Sequence, residues 1–145
     1  MSYGINVSGP AVPKENRVTT VLIVDDSKLA RIVIGKAVAA LEPEWRRLEA
    51  GGADEALTVL GQQPVDVVLL DFNMPGRNGL ELAEELRARF PDMPIALATA
   101  NLQDEVIGRA RAAGAAFVPK PITEDGLRDF LSGAALHLRR IRSDL

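Results

Sequence analysis

The stretch VTTVLIVDDS, residues 18–27, decides the fold class because it joins an apolar strand directly to a polar turn. Residues 18–24 are β-branched or apolar without alternation, which is typical of a central strand covered on both faces of a parallel sheet. Asp26 or Ser27 can then cap a helix. A buried strand that ends in acids and a helix cap predicts the first unit of a strand–helix repeat.

The same succession of strand and helix patterns recurs along the chain. Further strands are predicted at 45–50, 65–70, 94–98 and 116–118. Helices are predicted over 29–41, 53–60, 80–90, 103–113 and 124–142. In the first helix, the inward face is expected to consist of Leu29, Val33, Ile34 and Val38. Five strands alternating with five helices predict an α/β fold: a doubly wound parallel sheet with helices on both faces.

Length and composition exclude several classes of protein. The chain has 145 residues, which suits one domain, and Cys 0 excludes disulfides and thiolate metal sites. A single histidine excludes a histidine cluster for zinc. The net charge of -3 and 4% aromatic residues speak against nucleic-acid binding, and no apolar run reaches the ~18 residues of a membrane helix. We therefore expect a cytoplasmic domain whose chemistry rests on carboxylates, amines and hydroxyls.

Four of the five predicted strands end in polar residues that suit a reaction site. Asp25 and Asp26 follow the first strand, Asp71 the third, Thr99 the fourth and Lys120 the fifth. Parallel strands end on one edge of the sheet, where ligands of open α/β sheets bind. Three carboxylates there repel one another unless a hard divalent cation such as Mg²⁺ lies among them. With an ammonium and a hydroxyl nearby, the set favours phosphoryl transfer onto a carboxylate, and Asp71 is the expected nucleophile.

Together these motifs resemble the receiver domain of bacterial two-component response regulators. The matching segments are VDDS at 24–27, LLDFNMPG at 69–76, ATA at 98–100 and KP at 120–121. The resemblance covers about residues 18–135 and implies a flavodoxin-like (βα)5 fold with strand order 2-1-3-4-5. Residues 1–17 mix glycine and proline with small and polar residues without any period, and they are expected to be a flexible N-terminal extension. The receiver domain is expected over 18–142, and the chain length leaves no room for an output domain.

The resemblance implies a role for each strand-end residue. Asp71 would accept a phosphoryl group from a phosphohistidine on a sensor histidine kinase or a histidine phosphotransfer protein. Asp25, Asp26, Asp71 and the main-chain carbonyl of Asn73 would hold Mg²⁺. Lys120 would pair first with Asp71 and then with the phosphoryl oxygens. The chain would thus catalyse its own phosphorylation and dephosphorylation without being an enzyme for other substrates.

Two residues would carry the switch that the resemblance implies. The Thr99 hydroxyl would turn towards the phosphoryl group, and Phe117 matches the switch aromatic of the family. The bond between Lys120 and Pro121 matches a peptide that is cis in the family. A phosphoryl group adds about −1.5 to −2 charges, and this would change the face of the fourth helix, fifth strand and fifth helix for a downstream protein. The chain is expected to be a monomer or a weak dimer, with no nucleic-acid or membrane partner.

Two alternatives stay open at the level of sequence. A Mg²⁺-dependent phosphatase of the haloacid-dehalogenase type also uses an aspartate after an apolar strand. That class usually carries a second acid two residues later, where this chain has Asn73, and it needs longer loops or a cap. A degenerate receiver that only binds other proteins is the second alternative, and the complete set of acids, threonine and lysine argues against it. The sequence does not identify the kinase, the target or the pathway.

Overall fold

Five parallel strands form one sheet in the computed structural model, which describes residues 17–100 and 103–143. The strands are β1 (Thr20–Val24), β2 (Arg46–Ala50), β3 (Val67–Asp71), β4 (Ile95–Thr99) and β5 (Ala116–Pro119). The helices are α1 (Lys28–Leu41), α2 (Ala53–Gln62), α3 (Gly79–Arg89), α4 (Asp104–Ala112) and α5 (Glu124–Ser143). The sheet order β2-β1-β3-β4-β5 confirms the predicted fold and topology.

The expected N-terminal extension falls on residues 1–17, and all of it except Arg17 lies outside the described residues. Among the helices that the structure describes, none combines the length and the apolar character that crossing a membrane requires.

The alternation of side chains along each strand divides the core into two layers. Side chains such as Leu22, Val68 and Leu97 pack on the face covered by α2, α3 and α4. Their strand neighbours, such as Ile23 and Leu69, pack on the opposite face, beneath α1 and α5. Because both faces are covered, the central strands β1, β3 and β4 are buried at every position. This explains why they show no alternation of polar and apolar residues.

The first strand begins two residues later than its apolar run predicts. The ladder between β1 and β2 starts with the pair Thr20 and Arg46, and Val18 precedes it. Val18 is accordingly 61% exposed. A run of β-branched residues indicates a strand but does not say where its neighbour in the sheet begins, so this boundary depends on β2.

The inward face of α1 also differs from the prediction. The buried residues are Ile34, Ala37 and Val38, whereas Leu29 is 71% exposed and Val33 49% exposed. Because each residue turns the helix by about 100°, Leu29 and Val33 lie on the arc of α1 that adjoins the buried one, with Val33 about 40° from Ala37. The rest of the fold covers only the arc of Ile34, Ala37 and Val38. The prediction was therefore wrong for Leu29 and Val33, which form an apolar surface at the start of α1.

The end of α5 is tied to the start of the sheet. Arg142 lies with Nη2 3.3 Å from Oδ1 of Asp66, and its Nη1 donates a hydrogen bond of 3.0 Å to Oγ1 of Thr19. The Arg142 side chain is only 10% exposed. Arg139 and Arg140, near the end of the same helix, are exposed, whereas Arg142 packs against the start of the sheet.

Candidate functional site

Three aspartates meet at the carboxyl edge of the sheet. β1 and β3 are neighbours, with Val24 opposite Leu70, so the next residues, Asp25 and Asp71, lie side by side. Asp26 follows Asp25, and one carboxylate oxygen of each of the three acids lies within 4.8 Å of the other two. Asp25 and Asp71 are buried, whereas Asp26 is exposed. The predicted convergence of these three residues is confirmed as geometry.

A short turn holds Asp25 at the end of β1. Its N–H donates to the carbonyl of Ala50 in β2 at 3.1 Å, and its Oδ1 accepts from the N–H of Ser27 at 2.9 Å. Ser27 also caps α1, because its Oγ accepts a hydrogen bond from the N–H of Ala30 at 3.2 Å. The residues that end the strand and begin the helix thus fix the carboxylate of Asp25 by local hydrogen bonds.

Lys120 reaches Asp71 from the far side of β4. It follows β5, and its Nζ forms an ion pair with Oδ1 of Asp71. The same oxygen accepts a hydrogen bond of 3.3 Å from the N–H of Asn73. The bond between Lys120 and Pro121 is cis, as the resemblance implies. A cation and an N–H therefore face the carboxylate that we expect to act as nucleophile.

The electrostatics of the site favour a bound cation. The pKa of the Asp25 carboxyl lies above its usual range, chiefly because burial disfavours its charge. The hydrogen bond from Ser27 opposes this rise, and the charge of Asp71 adds to it. The ammonium of Lys120 lowers the pKa again, but by less. Three hard oxygen donors with unbalanced negative charge fit a divalent metal ion, so this acidic cluster can bind one.

Thr99 lies at the same edge of the sheet as the acids, whereas Phe117 lies two residues before the end of β5. Thr99 is the last residue of β4 and is 2% exposed. Phe117 pairs with Leu97 in the ladder of β4 and β5 and is partly buried against the layer that faces α2, α3 and α4. The structure therefore brings Thr99 to the acids by strand position, while Phe117 is placed in the core two positions before Pro119. Their role in a switch stays a prediction.

A cleft of about 550 Å³ opens the acids to solvent between the start of α1 and the segment after β5. Its polar lining consists of Asp25, Asp26, Ser27, Asp71, Asn73 and Lys120. Its apolar lining includes Leu29, Val33 and Ile122. The exposed apolar surface of α1 therefore borders the acids directly.

Arg31 belongs to the surroundings of the site although no sequence motif predicts it. Its Nη1 donates to the main-chain carbonyl of Asp25 at 2.7 Å, and its Nε donates to Oε1 of Glu49 in β2 at 2.8 Å. One local signal is present: Arg31 lies in the first turn of α1, where the helix dipole disfavours a cation. A cation in that position indicates that a specific contact holds it. The contact to Glu49, however, depends on the packing of α1 beside β2.

No sequence motif predicts the role of Gly79 either. A Cβ on this residue would lie 2.2 Å from the carbonyl oxygen of Asp71, and its N–H donates to the carbonyl of Phe72 at 3.0 Å. Asn78 caps α3, accepting a 2.9 Å hydrogen bond from the N–H of Glu81. The N-terminus of α3 therefore rests against the main chain of Asp71, and only glycine leaves room for this approach.

Comparison with known proteins gives one family. The model of the response regulator receiver domain matches residues 21–132. The hydrogenase transcriptional regulatory protein HoxA of Cupriavidus necator is 35% identical over 112 residues, which are 76% of this chain and 23% of that protein. The positive alginate biosynthesis regulatory protein of Pseudomonas aeruginosa is 36% identical over 118 residues, 79% of this chain and 46% of that protein. The chain thus spans less than half the length of these relatives.

Solved structures show the same fold. The chemotaxis protein CheY4 of Vibrio cholerae superposes with a TM-score of 0.73 and 26% identity, covering 81% of this chain and 99% of that one. A CheY-like receiver domain protein of Methanospirillum hungatei superposes with a TM-score of 0.72 and 25% identity, covering 89% of this chain and 100% of that one. The likeness extends over nearly the full length of both structures.

Proposed function

The chain belongs to the response regulator receiver domain family, the phosphorylation-controlled switches of two-component signalling, and on this premise we propose that Asp71 is its phosphorylation site. The observation that carries the proposal is the ion pair of Asp71 with Lys120 at an edge where two further acids converge. A carboxylate held between a cation and a metal-binding cluster is suited to accept a phosphoryl group.

The proposed reaction transfers a phosphoryl group from phosphohistidine. A carboxylate oxygen of Asp71 attacks the phosphorus, the new O–P bond forms, and the P–N bond to the imidazole breaks. Asp25, Asp26, Asp71 and the main-chain carbonyl of Asn73 would hold Mg²⁺, which would supply positive charge near the phosphoryl oxygens. Lys120 starts as the partner of Asp71 and then pairs with the new oxygens. Loss of the phosphoryl group to water returns the chain to its first state.

The proposed switch begins at Thr99. The transferred group brings about −1.5 to −2 charges and three acceptor oxygens to an edge that Thr99 shares. Thr99 ends β4 and so precedes the connection to α4, which means that a turn of its hydroxyl acts on that connection. Phe117 in the neighbouring strand β5 then changes its position. As a result, the surface that α4, β5 and α5 present to a downstream protein changes. This is a two-state equilibrium biased by covalent charge.

The phosphohistidine donor binds where apolar surface borders the acids. Leu29, Ile32 and Val33 are between 41% and 71% exposed at the start of α1. Exposed apolar side chains beside a reaction site mark an interaction surface. A histidine kinase or a histidine phosphotransfer protein therefore approaches over α1. The cytoplasmic location and the monomeric or weakly dimeric state stay predictions.

The test is labelling of the protein by a small phosphodonor or by beryllofluoride in the presence of Mg²⁺, followed by mass spectrometry and fluorine NMR. We expect stoichiometric labelling of the wild type and none in Asp71→Asn. Asp92→Asn is the matched control, because Asp92 is an exposed acid outside the cleft. Multiple turnover of phosphate esters would contradict the proposal in favour of a phosphatase, and an unlabelled wild type would favour a degenerate receiver.

A further inference from the structure

We propose that Arg31 is a positioning residue for the metal-binding aspartates, because it fixes the peptide group that joins Asp25 to Asp26. The proposal rests on the proposed function in one respect, namely that the cation is Mg²⁺. The guanidinium of Arg31 contacts the carbonyl of Asp25 and the carboxylate of Glu49, so the proposal assigns Arg31 a contribution to cation affinity rather than to chemistry.

The contacts of Arg31 join three elements of the fold. Its guanidinium donates through Nη1 to the carbonyl of Asp25 and through Nε to Glu49 in β2. The next residue of β2, Ala50, accepts the N–H of Asp25. The main chain of Asp25 is therefore held on both sides: its N–H is bound to β2 directly, and its C=O is bound to β2 through Arg31 and Glu49.

Asp26 needs this support more than the other two acids do. Asp25 is buried and accepts the N–H of Ser27, and Asp71 is buried and paired with Lys120. Asp26 is exposed, and in the described part of the chain its carboxylate accepts no hydrogen bond. Its position depends on the orientation of the preceding peptide plane, because that plane is rigid and contains the carbonyl of Asp25. A hydrogen bond to this carbonyl therefore sets the direction in which Asp26 leaves the strand.

Arg31 acts here through geometry more than through charge. Glu49 accepts from Nε, so the guanidinium is balanced by a carboxylate outside the acidic cluster. The planar guanidinium presents its donors in a fixed arrangement, so one side chain reaches both acceptors. The Arg31 side chain is only 17% exposed, and this burial restricts its rotamers further.

The test compares Mg²⁺ affinity and loop order in Arg31→Ala and in the wild type. We expect the Kd for Mg²⁺, followed by amide shifts in NMR titration, to rise about 3- to 10-fold. This rise reaches at most the lower end of the 10–100-fold cost of removing a hydrogen-bond partner of a metal ligand. Asp25 still donates its N–H to Ala50 and still accepts the N–H of Ser27 in the variant. In the metal-free protein, the order parameter of the Asp26 amide should fall from about 0.85 towards 0.6. Saturating Mg²⁺ should restore the wild-type labelling rate.

Two matched variants separate positioning from general stability. Arg109→Ala removes another arginine–glutamate pair, that with Glu84 between α3 and α4, and should leave both the Kd and the Asp26 order parameter unchanged. Arg31→Lys keeps the charge but offers a single ammonium, so it should show an intermediate Kd.

A wild-type Kd together with a rigid Asp26 amide in Arg31→Ala overturns the proposal. If that variant does not fold, the same result in Arg31→Lys overturns it. A wild type that does not titrate with Mg²⁺ contradicts the proposed function instead, and the metal-free order parameter still decides the role of Arg31.

Discussion

Gly79 shows how a single residue shapes the site without carrying any functional group. It allows α3 to begin against the carbonyl of Asp71, while the side chain of the same aspartate faces Lys120. The main chain of Asp71 is thus packed from behind, and its side chain is directed to the cleft. Any side chain at position 79 has to displace either the helix or the strand end, since the interfering atom is main chain.

We expect Gly79→Ala to lower the free energy of unfolding by about 1–3 kcal/mol, the range for overpacking in a well-packed core. It should also slow labelling of Asp71, because the strand end moves. Urea unfolding followed by the fluorescence of the buried Trp45 measures the first effect. Gly108→Ala in α4 is the control, since a Cβ added there would meet no atom of another element within 4 Å. It should raise stability by up to about 1 kcal/mol. Equal stability of the two variants would contradict the proposed packing.

At the scale of elements, local pattern identifies the helices and strands, and packing decides their faces and ends. The predicted elements agree with the structure to within two residues because buried strands and capped helices have local sequence signals. Leu29 and Val33 were wrongly assigned to the buried arc of α1, since periodicity defines an apolar arc wider than the rest of the fold covers. The end of α5 likewise depends on packing, because Arg142 near its end pairs with Asp66, the residue that directly precedes β3.

We expect Arg142→Ala to lower the free energy of unfolding by about 2–3 kcal/mol. Removing one partner of a buried ion pair costs about 3–5 kcal/mol, and the pair with Asp66 keeps a little exposure, which reduces the loss. Denaturant unfolding measures the change. Arg140→Ala, an exposed arginine on the same turn, should change stability by less than about 0.5 kcal/mol. A loss in Arg140→Ala as large as that in Arg142→Ala would disprove the anchoring role.

At the scale of the whole molecule, one edge of the sheet concentrates negative charge that the fold alone does not balance. Burial and the charge of Asp71 raise the pKa of Asp25 in the folded protein above its value in the unfolded chain. The folded state therefore holds the Asp25 proton more tightly. Stability contributed by this group is present at low pH and is lost as the pH rises through the raised pKa. At neutral pH, a cation bound by this cluster would offset that loss.

The corresponding prediction compares the wild type with Asp25→Asn, both without metal. The variant should be more stable at neutral pH by about 1 kcal/mol, the usual size of a single-residue effect, and the difference should shrink as the pH falls towards 3.8. Taking the difference in stability between the two proteins cancels the opposite pH dependence of groups that both share. Glu84 is one such group, because its hydrogen bond from Arg109 lowers its pKa. Urea unfolding at several pH values provides the measurement.

Addition of Mg²⁺ at ten times its Kd should stabilise the wild type by about 1.4 kcal/mol and should stabilise Asp25→Asn less. Potassium chloride at the same ionic strength is the control. A stability difference between the two proteins that does not vary with pH would contradict the charge argument.

The amino-acid sequence is enough to predict the fold class, the strand order through its family resemblance, and the residues at the carboxyl ends of the strands. These follow from local patterns, because a buried parallel strand is uninterrupted in apolar residues and its end is marked by the first polar ones. Parallel pairing then brings Asp25, Asp26, Asp71, Thr99 and Lys120 to one edge without further information.

Only the tertiary structure decided what supports those residues. The bridge from Arg31 to Glu49, the approach of Gly79 to Asp71 and the anchor from Arg142 to Asp66 each join segments that are separate in sequence. No local pattern contains the distance between two such segments, since that distance is set by how helices settle on the twisted sheet. The residues of the site are therefore readable from the chain, and the contacts that hold them are properties of the packed molecule.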